Sequence, residues 1–462
     1  MDNLDEAEEI VLILLSCSLL ALQQEMASTR KKKPRRRRWW VRPCLRERET
    51  LGRANKLLPL LRSRDVEYYR DYLRMPPRTF DTLLELLGPR ICKQDTRFRK
   101  AIPADHRLAL AVRFLAAGET VRSSSFNFMS GRSTACHVVS EVCQAIWNIL
   151  GPIYVVCPST EGEWLRVARN FEERWNMPHC VGAIDGQHVN IECPAKSGSL
   201  DRNYKNSFSK SLLAVSDANY RFLYVEVGHN GSEADGGVFR RSDLQRKIEE
   251  NLQGIPPDAA LGSVGSMPFF FVGDEAFPLR TYLMRPYPRK TLEPLLSNNT
   301  VDDEAVSQSS SDDAGQSQFE QTHQRRIFNY RLSRARRVVE NTFGIMAQRW
   351  RILRRPFKAT NENVTRIVSA CVALHNFLLQ ESAVSRAAYC PPGTADYEDW
   401  HGQLTEGSWR AEENGNSALS ALPGRGFRSA SLAYTVRDKL CKYFITDGKV
   451  PWQESMVKGN KS

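Results

Sequence analysis

The sequence predicts an α/β protein in which a mixed sheet, flanked by helices, follows an all-helical N-terminal region. Two observations carry this prediction. Before residue 160, apolar residues recur at the spacing of an amphipathic helix, as at Val138, Val142 and Ile146. From Val181 onward, short apolar or alternating runs are separated by turn residues, which is the pattern of β-strands. The chain of 462 residues is long enough for two or three domains and a sizeable hydrophobic core.

The helical region spans about residues 65–160 and contains three helices in a characteristic order. A helix at about 104–117 precedes a short serine-capped helix at 123–128, a turn at Gly131 and a longer helix at 134–150. This order is typical of a helix-turn-helix. The residues that such a module would present to DNA are Arg132, Ser133 and Thr134. The alternative is three packed helices with no role in DNA binding.

The α/β part begins with an expected antiparallel meander and continues with a buried strand. The predicted strands cover residues 181–191, 208–216, 221–228 and the wholly apolar 267–273. The predicted helices cover residues 242–252, 331–353, 364–379 and 432–444. Residues 296–324, rich in Ser, Gln, Asn and Asp, are expected to be a disordered insert, and residues 384–428 to be largely unstructured.

The net charge of +12 is concentrated in one arm of the chain. Residues 30–64 contain fifteen Lys or Arg against two acidic residues, so the remainder is close to neutral. The densest part, RKKKPRRRR, predicts a nuclear localisation signal or a DNA-binding arm, and the alternative is a solvated tail. Its basic residues are Arg30, Lys31, Lys32, Lys33, Arg35, Arg36, Arg37 and Arg38.

Two features exclude other classes of protein. Eleven cysteines occur without a CxxC pair, which favours free thiols in a reducing compartment and disfavours a zinc site. Residues 10–22 are apolar, but the run is too short to span a bilayer and follows acidic residues. We therefore expect a short apolar helix there, and no membrane.

Three carboxylates stand where catalytic acids would be placed. Asp185 interrupts an apolar strand, Asp274 directly follows another, and Glu340 lies beside the apolar stripe of a helix. Carboxylates that converge repel one another unless a cation neutralises them, and oxygen ligands select Mg²⁺ or Mn²⁺. The alternatives are turn-forming aspartates and a Glu340 that pairs with Arg336 or Arg337.

Four blocks, in this order, carry a family resemblance: GAIDGQHVNI, GSEADGGVFRRSDL, FVGDEAFPLRTYLMRPY and NYRLSRARRVVENTFGIMAQRWRIL. They resemble successive blocks of the Harbinger transposases and of the nucleases derived from them, over about residues 65–380. The resemblance implies a catalytic DDE triad at Asp185, Asp274 and Glu340. It also implies Asp235 as a further metal carboxylate, although Asp235 could equally cap the following helix.

This resemblance implies an RNase H-like mixed sheet and a metal-dependent DNA endonuclease or transposase that works through two metal ions. The alternative is a domesticated, catalytically silent DNA-binding or interaction protein. The arginines expected to hold the DNA backbone, or else to form a solvated basic face, are Arg331, Arg334, Arg336 and Arg337. The implied partners are DNA and a separate Myb-like protein, the implied compartment is the nucleus, and the oligomeric state stays open.

Four regions are therefore expected. They are residues 1–64, an apolar helix and basic arm that are largely disordered; 65–160, the DNA-binding region; 161–380, the nuclease domain; and 381–462, a mostly disordered tail with a short closing helix.

Overall fold

The structure is a computed structural model that describes residues 18, 39, 41–97, 99–193, 201–203, 207–233, 235–250, 254–292, 311–399, 401–411, 417–421 and 431–458. For residues 235, 236, 290 and 311–317 it describes the backbone alone. The chain divides into two compact units, Met1–Glu47 and Arg48–Ser462. In the first unit, helix α1 covers Pro43–Arg46. The basic run at residues 30–38 lies outside the described residues, as does the apolar run at 10–22 apart from Ser18.

The second unit begins with consecutive helices. They are α2 (Arg48–Leu51), α3 (Arg53–Arg64), α4 (Val66–Leu73), α5 (Pro77–Ile91), α6 (Ala104–Ala117), α7 (Val121–Asn127), α8 (Arg132–Tyr154) and α9 (Glu161–Trp175). Residues 48–64 were expected to be largely disordered, and that prediction is wrong. Helix α3 (RANKLLPLLRSR) buries Leu58 in the core, whereas the many Lys and Arg of residues 48–64 favour a solvated arm when the sequence is considered alone.

The central sheet has the strand order β3-β2-β1-β6-β7, and a further strand, β10, also pairs with β1. Its strands are β1 (Cys180–Ile191), β2 (Phe208–Ser216), β3 (Phe222–Asn230), β6 (Phe270–Val272), β7 (Leu283–Met284) and β10 (Leu419–Ala421). Strands β1, β2 and β3 are antiparallel, whereas β6 and β7 run parallel to β1. The predicted meander and the mixed sheet flanked by helices are confirmed.

Between β3 and β7 lie smaller elements. They are helices α10 (Asp235–Arg241) and α11 (Asp243–Glu249) and the two-stranded pair β4 (Ala259–Ala260) and β5 (Ser266–Met267). The α11 N-terminus is capped by Ser242, whose side chain accepts from the Gln245 amide.

A long helix, α12 (Ser311–Arg349), packs on the sheet. Its apolar stripe, including Leu332, Val339 and Met346, is buried as the spacing predicts. Residues 311–324 were expected to belong to a disordered insert, but they are helical. Their polar composition offers no apolar stripe, and a tertiary contact from His323 to Glu454, 2.8 Å long, helps to hold the segment. The rest of the expected insert, residues 296–310, lies outside the described residues.

Helix α13 (Asn361–Gln380) is almost entirely buried and packs along α8. Val138, Val142 and Ile146 of α8 are buried in the common core of the second unit. The helical region therefore forms one compact unit with the sheet. Helix α8 also begins two residues earlier than predicted, with Gly131 as its N-cap.

The C-terminal part is much more regular than the sequence predicts. It contains α14 (Ala383–Tyr389), the hairpin β8 (Tyr397–Glu398) and β9 (Leu404–Thr405), α15 (Ser408–Ala411), β10, α16 (Ser431–Ile445) and α17 (Gln453–Lys458). The prediction of a mostly disordered tail is wrong for these residues, except that α16 is the closing helix predicted at 432–444. Their elements are too short to show periodicity and are held by distant partners, such as Asn341, which accepts from the Asp396 amide at 3.0 Å.

Among the described residues, no helix combines the length and the apolar character that crossing a bilayer would require. The cysteines whose positions are described are free thiols, as expected.

Candidate active site

Asp185 occupies the middle of β1, where neighbouring residues are buried on both faces of the sheet. Its side chain is itself buried, with 7% of the residue exposed. Gln187, two residues along the same face, donates from Nε2 to Asp185 Oδ2 at 2.9 Å. This hydrogen bond restrains the orientation of the Asp185 carboxylate.

Asp274 follows β6, which lies next to β1 and parallel to it. The register pairs Ala183 with Val272. Asp185 and Asp274 each come two residues later in the chain, so they lie at the same level of the sheet. The Asp274 Oδ1 atom accepts from the Ala276 amide at 2.9 Å, a turn that leads the chain away from the strand.

Glu340 comes from α12 and lies between two guanidinium groups. Arg336 Nη1 is 2.8 Å from Glu340 Oε1, one helical turn earlier, and Arg410 Nη2 is 3.6 Å from Glu340 Oε2. The pairing with Arg336 matches one alternative considered from the sequence. The second cation was missed, because Arg410 lies in a segment expected to be unstructured.

Both aspartates are destabilised as anions, mainly by burial. Burial raises the pKa of Asp185 to about 7, with a further contribution from the negative charge of Asp274, while the Gln187 hydrogen bond opposes the shift. Burial also raises the pKa of Asp274, and the nearby Glu340 adds to the effect. Such a pair of buried oxygen donors gains stability from a bound cation.

All three acids line one cavity of about 390 Å³. The cavity also contains three arginines, Arg336, Arg354 and Arg410. Its remaining wall includes Trp409 and residues of the β10 segment, Ser417, Leu419, Ser420 and Ala421. Sequence reasoning missed this wall entirely, since a single Trp-Arg pair in a polar segment has no distinctive spacing.

The described side chains do not form a ready-made metal site: no group of three or more His, Cys, Asp or Glu is arranged around one point among them. The predicted metal carboxylates were Asp185, Asp235, Asp274 and Glu340. Glu340 is instead held by arginines, and the side chain of Asp235, at the start of α10, lies outside the described residues. Asp185 and Asp274 fit a hard divalent cation by the chemistry of their oxygen atoms.

The predicted DNA contacts on α12 are mostly wrong. Arg334 and Arg337 both form ion pairs with the buried Glu398, and 6% and 13% of their side chains are exposed. Arg331 is buried too and donates from Nη1 to the Gly448 carbonyl at 2.8 Å. Arg334 and Arg337 face the protein because the C-terminal hairpin carries Glu398, whereas Arg331 is covered by the segment that contains Gly448. Arg336 alone of the four reaches the cavity.

The predicted contacts at the α8 N-terminus are accessible. Arg132 and Ser133 are exposed, and Thr134 is half-buried. Arg132 lines a second cavity, of about 590 Å³, together with Arg122, Arg355 and Lys358. This basic rim has a composition suited to phosphate, but α8 is also internal support for the fold, as the alternative interpretation expects.

Comparison with known proteins shows a family to which part of the chain is similar. Residues 184–376 match a family model described as DDE superfamily endonuclease. This region therefore resembles a DDE endonuclease domain. The matched region contains Asp185, Asp274 and Glu340 but ends before Trp409 and Arg410.

Three relatives share 24% identity with the chain. A protein named ALP1-like from Arabidopsis thaliana aligns over 69% of this chain and 72% of its own length. The putative nuclease HARBI1 of Homo sapiens aligns over 71% of this chain and 83% of its own. The Arabidopsis thaliana protein named antagonist of like heterochromatin protein 1 aligns over 61% and 63%. No solved structure matches the chain significantly. The predicted resemblance to the Harbinger family is confirmed.

Proposed function

We propose that the protein is a divalent-metal-dependent DNA endonuclease of the Harbinger type, with Asp185, Asp274 and Glu340 as its catalytic acids. One observation carries the proposal. A single cavity brings the three acids together with three arginines. Cleavage of a phosphodiester needs both kinds of group, because carboxylates hold the metal and guanidinium groups hold the phosphate.

The chain offers a donor set for Mg²⁺ or Mn²⁺. The carboxylates of Asp185, Asp274 and Glu340 would hold the ions. Bound ions would supply an activated water or 3′-hydroxyl and stabilise the leaving oxygen. The protein's own residues prepare the site: Gln187 orients Asp185, and the turn at Ala276 orients Asp274.

A cleavage assay tests the proposal directly. The substrate is DNA bearing the repeats that flank the chain's own genomic locus, incubated with Mg²⁺ or with a chelator. We expect the wild type to cleave this DNA with Mg²⁺ but not with the chelator. The Asp185→Asn variant should cleave it under neither condition. DNA that is bound but never cut, with either Mg²⁺ or Mn²⁺, would contradict the proposal and support the catalytically silent alternative.

We further propose that the protein works in the nucleus with a Myb-like partner protein. The support is the basic run at residues 30–38 and the family resemblance. Recovery of the protein in nuclear extract together with a Myb-like protein, identified by mass spectrometry, tests both points. Exclusively cytoplasmic protein would contradict the nuclear assignment.

A further inference from the structure

We propose that Arg336 and Arg410 bind the DNA phosphate beside the cleaved bond, and that Glu340 occupies their guanidinium groups until DNA and metal enter. This inference rests on the proposed function and deepens it. Arg410 lies outside the region that matches the family model, which ends at residue 376.

The first observation is the position of Glu340. Its two carboxylate oxygens are divided between the arginines, Oε1 with Arg336 at 2.8 Å and Oε2 with Arg410 at 3.6 Å. The side chains of all three residues are between 27% and 29% exposed and line the same cavity. An anion thus sits between two cations that solvent can reach, and a phosphate has the same charge and similar oxygen spacing.

The second observation is how firmly Arg410 is held. Its Nε donates to Asp396 Oδ1 at 2.9 Å and its Nη2 to Asp396 Oδ2 at 2.6 Å. The Asp396 side chain is fully buried, and the Arg410 guanidinium also stacks on the Trp409 ring at 4.3 Å. Within the described part of the chain, no hydrogen bond uses Arg410 Nη1. Because the Arg410 guanidinium is already held in place and its Nη1 makes no such bond, it can bind an oxyanion with little further loss of side-chain entropy.

The third observation is the charge balance of the cavity. Asp185, Asp274 and Glu340 face Arg336, Arg354 and Arg410. If Glu340 turns to a metal beside the aspartates, Arg336 and Arg410 lose their shared anion. A phosphodiester of the substrate restores that balance, so binding of metal and of DNA should favour each other.

The test measures DNA affinity and its salt dependence. The probe is a short fluorescein-labelled duplex of random sequence, titrated by anisotropy with Ca²⁺ in place of Mg²⁺. One variant is Arg336→Gln. The other combines Asp396→Asn with Arg410→Gln, which keeps the net charge and leaves no buried carboxylate without its cation. The matched control combines Asp243→Asn with Arg246→Gln, an exposed ion pair on α11.

We expect each cavity variant to bind about ten-fold more weakly. Each should also reduce the salt-dependence slope by about 0.9, the value for one lost phosphate contact. The control should match the wild type, and circular dichroism should show all variants folded. Glu340→Gln should bind the duplex more tightly than the wild type in chelator, because it frees the arginines.

Two failures can be told apart. If the wild type binds and cleaves DNA while the cavity variants keep its affinity and slope, the phosphate assignment is overturned and the nuclease proposal stands. If the wild type neither binds nor cleaves DNA, both are overturned. Weaker binding by Glu340→Gln in chelator would also overturn the exchange of Glu340 for phosphate.

Discussion

The indole ring of Trp409 lies directly on Gly344, so that a β-carbon built on this glycine would be only 2.2 Å from the ring. Gly344 is inside α12, one turn after Glu340, where glycine normally weakens a helix. Trp409 Nε1 also donates to Asn341 Oδ1 at 2.8 Å on the same helix. The contact fixes the segment that carries Arg410 against the helix that carries Glu340.

This contact predicts an unusual response to Gly344→Ala. Helix propensity alone would stabilise the protein by up to about 1 kcal/mol. We expect instead a loss of about 1–3 kcal/mol in the free energy of unfolding, measured in urea, because the methyl group overpacks against Trp409. Adding Trp409→Ala should remove much of the penalty of the alanine. Gly162→Ala, where a β-carbon meets nothing within 4 Å, is the control, and an equal response there would contradict the packing argument.

Asp274→Asn should abolish cleavage while the fold and the DNA affinity remain close to wild type. Asparagine keeps the oxygen that accepts from Ala276 but removes the charge that a metal requires. Glu275→Gln neutralises the exposed neighbouring carboxylate and should cleave normally. Cleavage by Asp274→Asn at the wild-type rate would show that Asp274 is not a ligand.

Glu398→Gln should destabilise the protein strongly. The side chain is 4% exposed and is the shared partner of Arg334 and Arg337, whose charges would be left uncompensated. We expect a decrease of about 3–5 kcal/mol in the free energy of unfolding in urea. Glu362→Gln, which breaks the exposed pair with Arg366, should change it by less than about 1 kcal/mol. If Glu398→Gln lowers the free energy of unfolding only slightly, Arg334 and Arg337 are not held by Glu398 and are again candidates for DNA contacts.

His375 makes stability sensitive to acid. It is fully buried, and burial lowers its pKa from 6.5 to about 4. In the unfolded chain the ring takes up a proton below about pH 6.5, whereas in the folded protein it stays neutral until about pH 4. Its contribution is therefore complete at neutral pH and is lost as the pH falls between these values, by about 3 kcal/mol. His375→Gln should make the free energy of unfolding, measured in urea, less dependent on pH over that range. His137→Gln, at an exposed position, should leave this pH dependence unchanged.

The basic run at residues 30–38 is predicted to bind DNA without sequence preference and to direct nuclear entry. Replacing its Lys and Arg with Ser should reduce the salt dependence of duplex binding, because fewer counterions are released. A variant with Lys at every Arg position keeps the charge and should behave like the wild type. Unchanged salt dependence and unchanged nuclear localisation in the Ser variant would leave only a solvated tail.

The sequence predicts the meander and the helix of Glu340 because each has a local period, and the buried strand before Asp274 because it is a short, wholly apolar run. Val138 and Leu332 are buried for the same reason. The two aspartates could be placed together because each stands in or directly after an apolar strand, where a carboxylate needs a partner or a metal. Local pattern was therefore sufficient for the acids.

The remainder of the site depends on tertiary contacts that no local pattern encodes. Arg410 and Trp409 reach the cavity because their segment is held by Asn341, 68 residues before Trp409, and by Asp396, 14 residues before Arg410. Arg334 has the helical phase of a surface cation, and partners distant in sequence, Glu398 of the hairpin and Asn176, make it internal. In both cases the sequence shows the charge but not what covers it.

The pairing of β10 with β1 has a consequence for how the protein comes into being. Asn190, at the end of the catalytic strand, bonds through its side chain to Ser417, 227 residues later in the chain. When Asp185, Asp274 and Glu340 have been synthesised, the ribosome has not yet reached Arg410 and β10, which complete the cavity wall. The growing polypeptide therefore keeps the cavity wall incomplete until residues 410–421 have emerged, and the proposed activity on DNA should appear only after that.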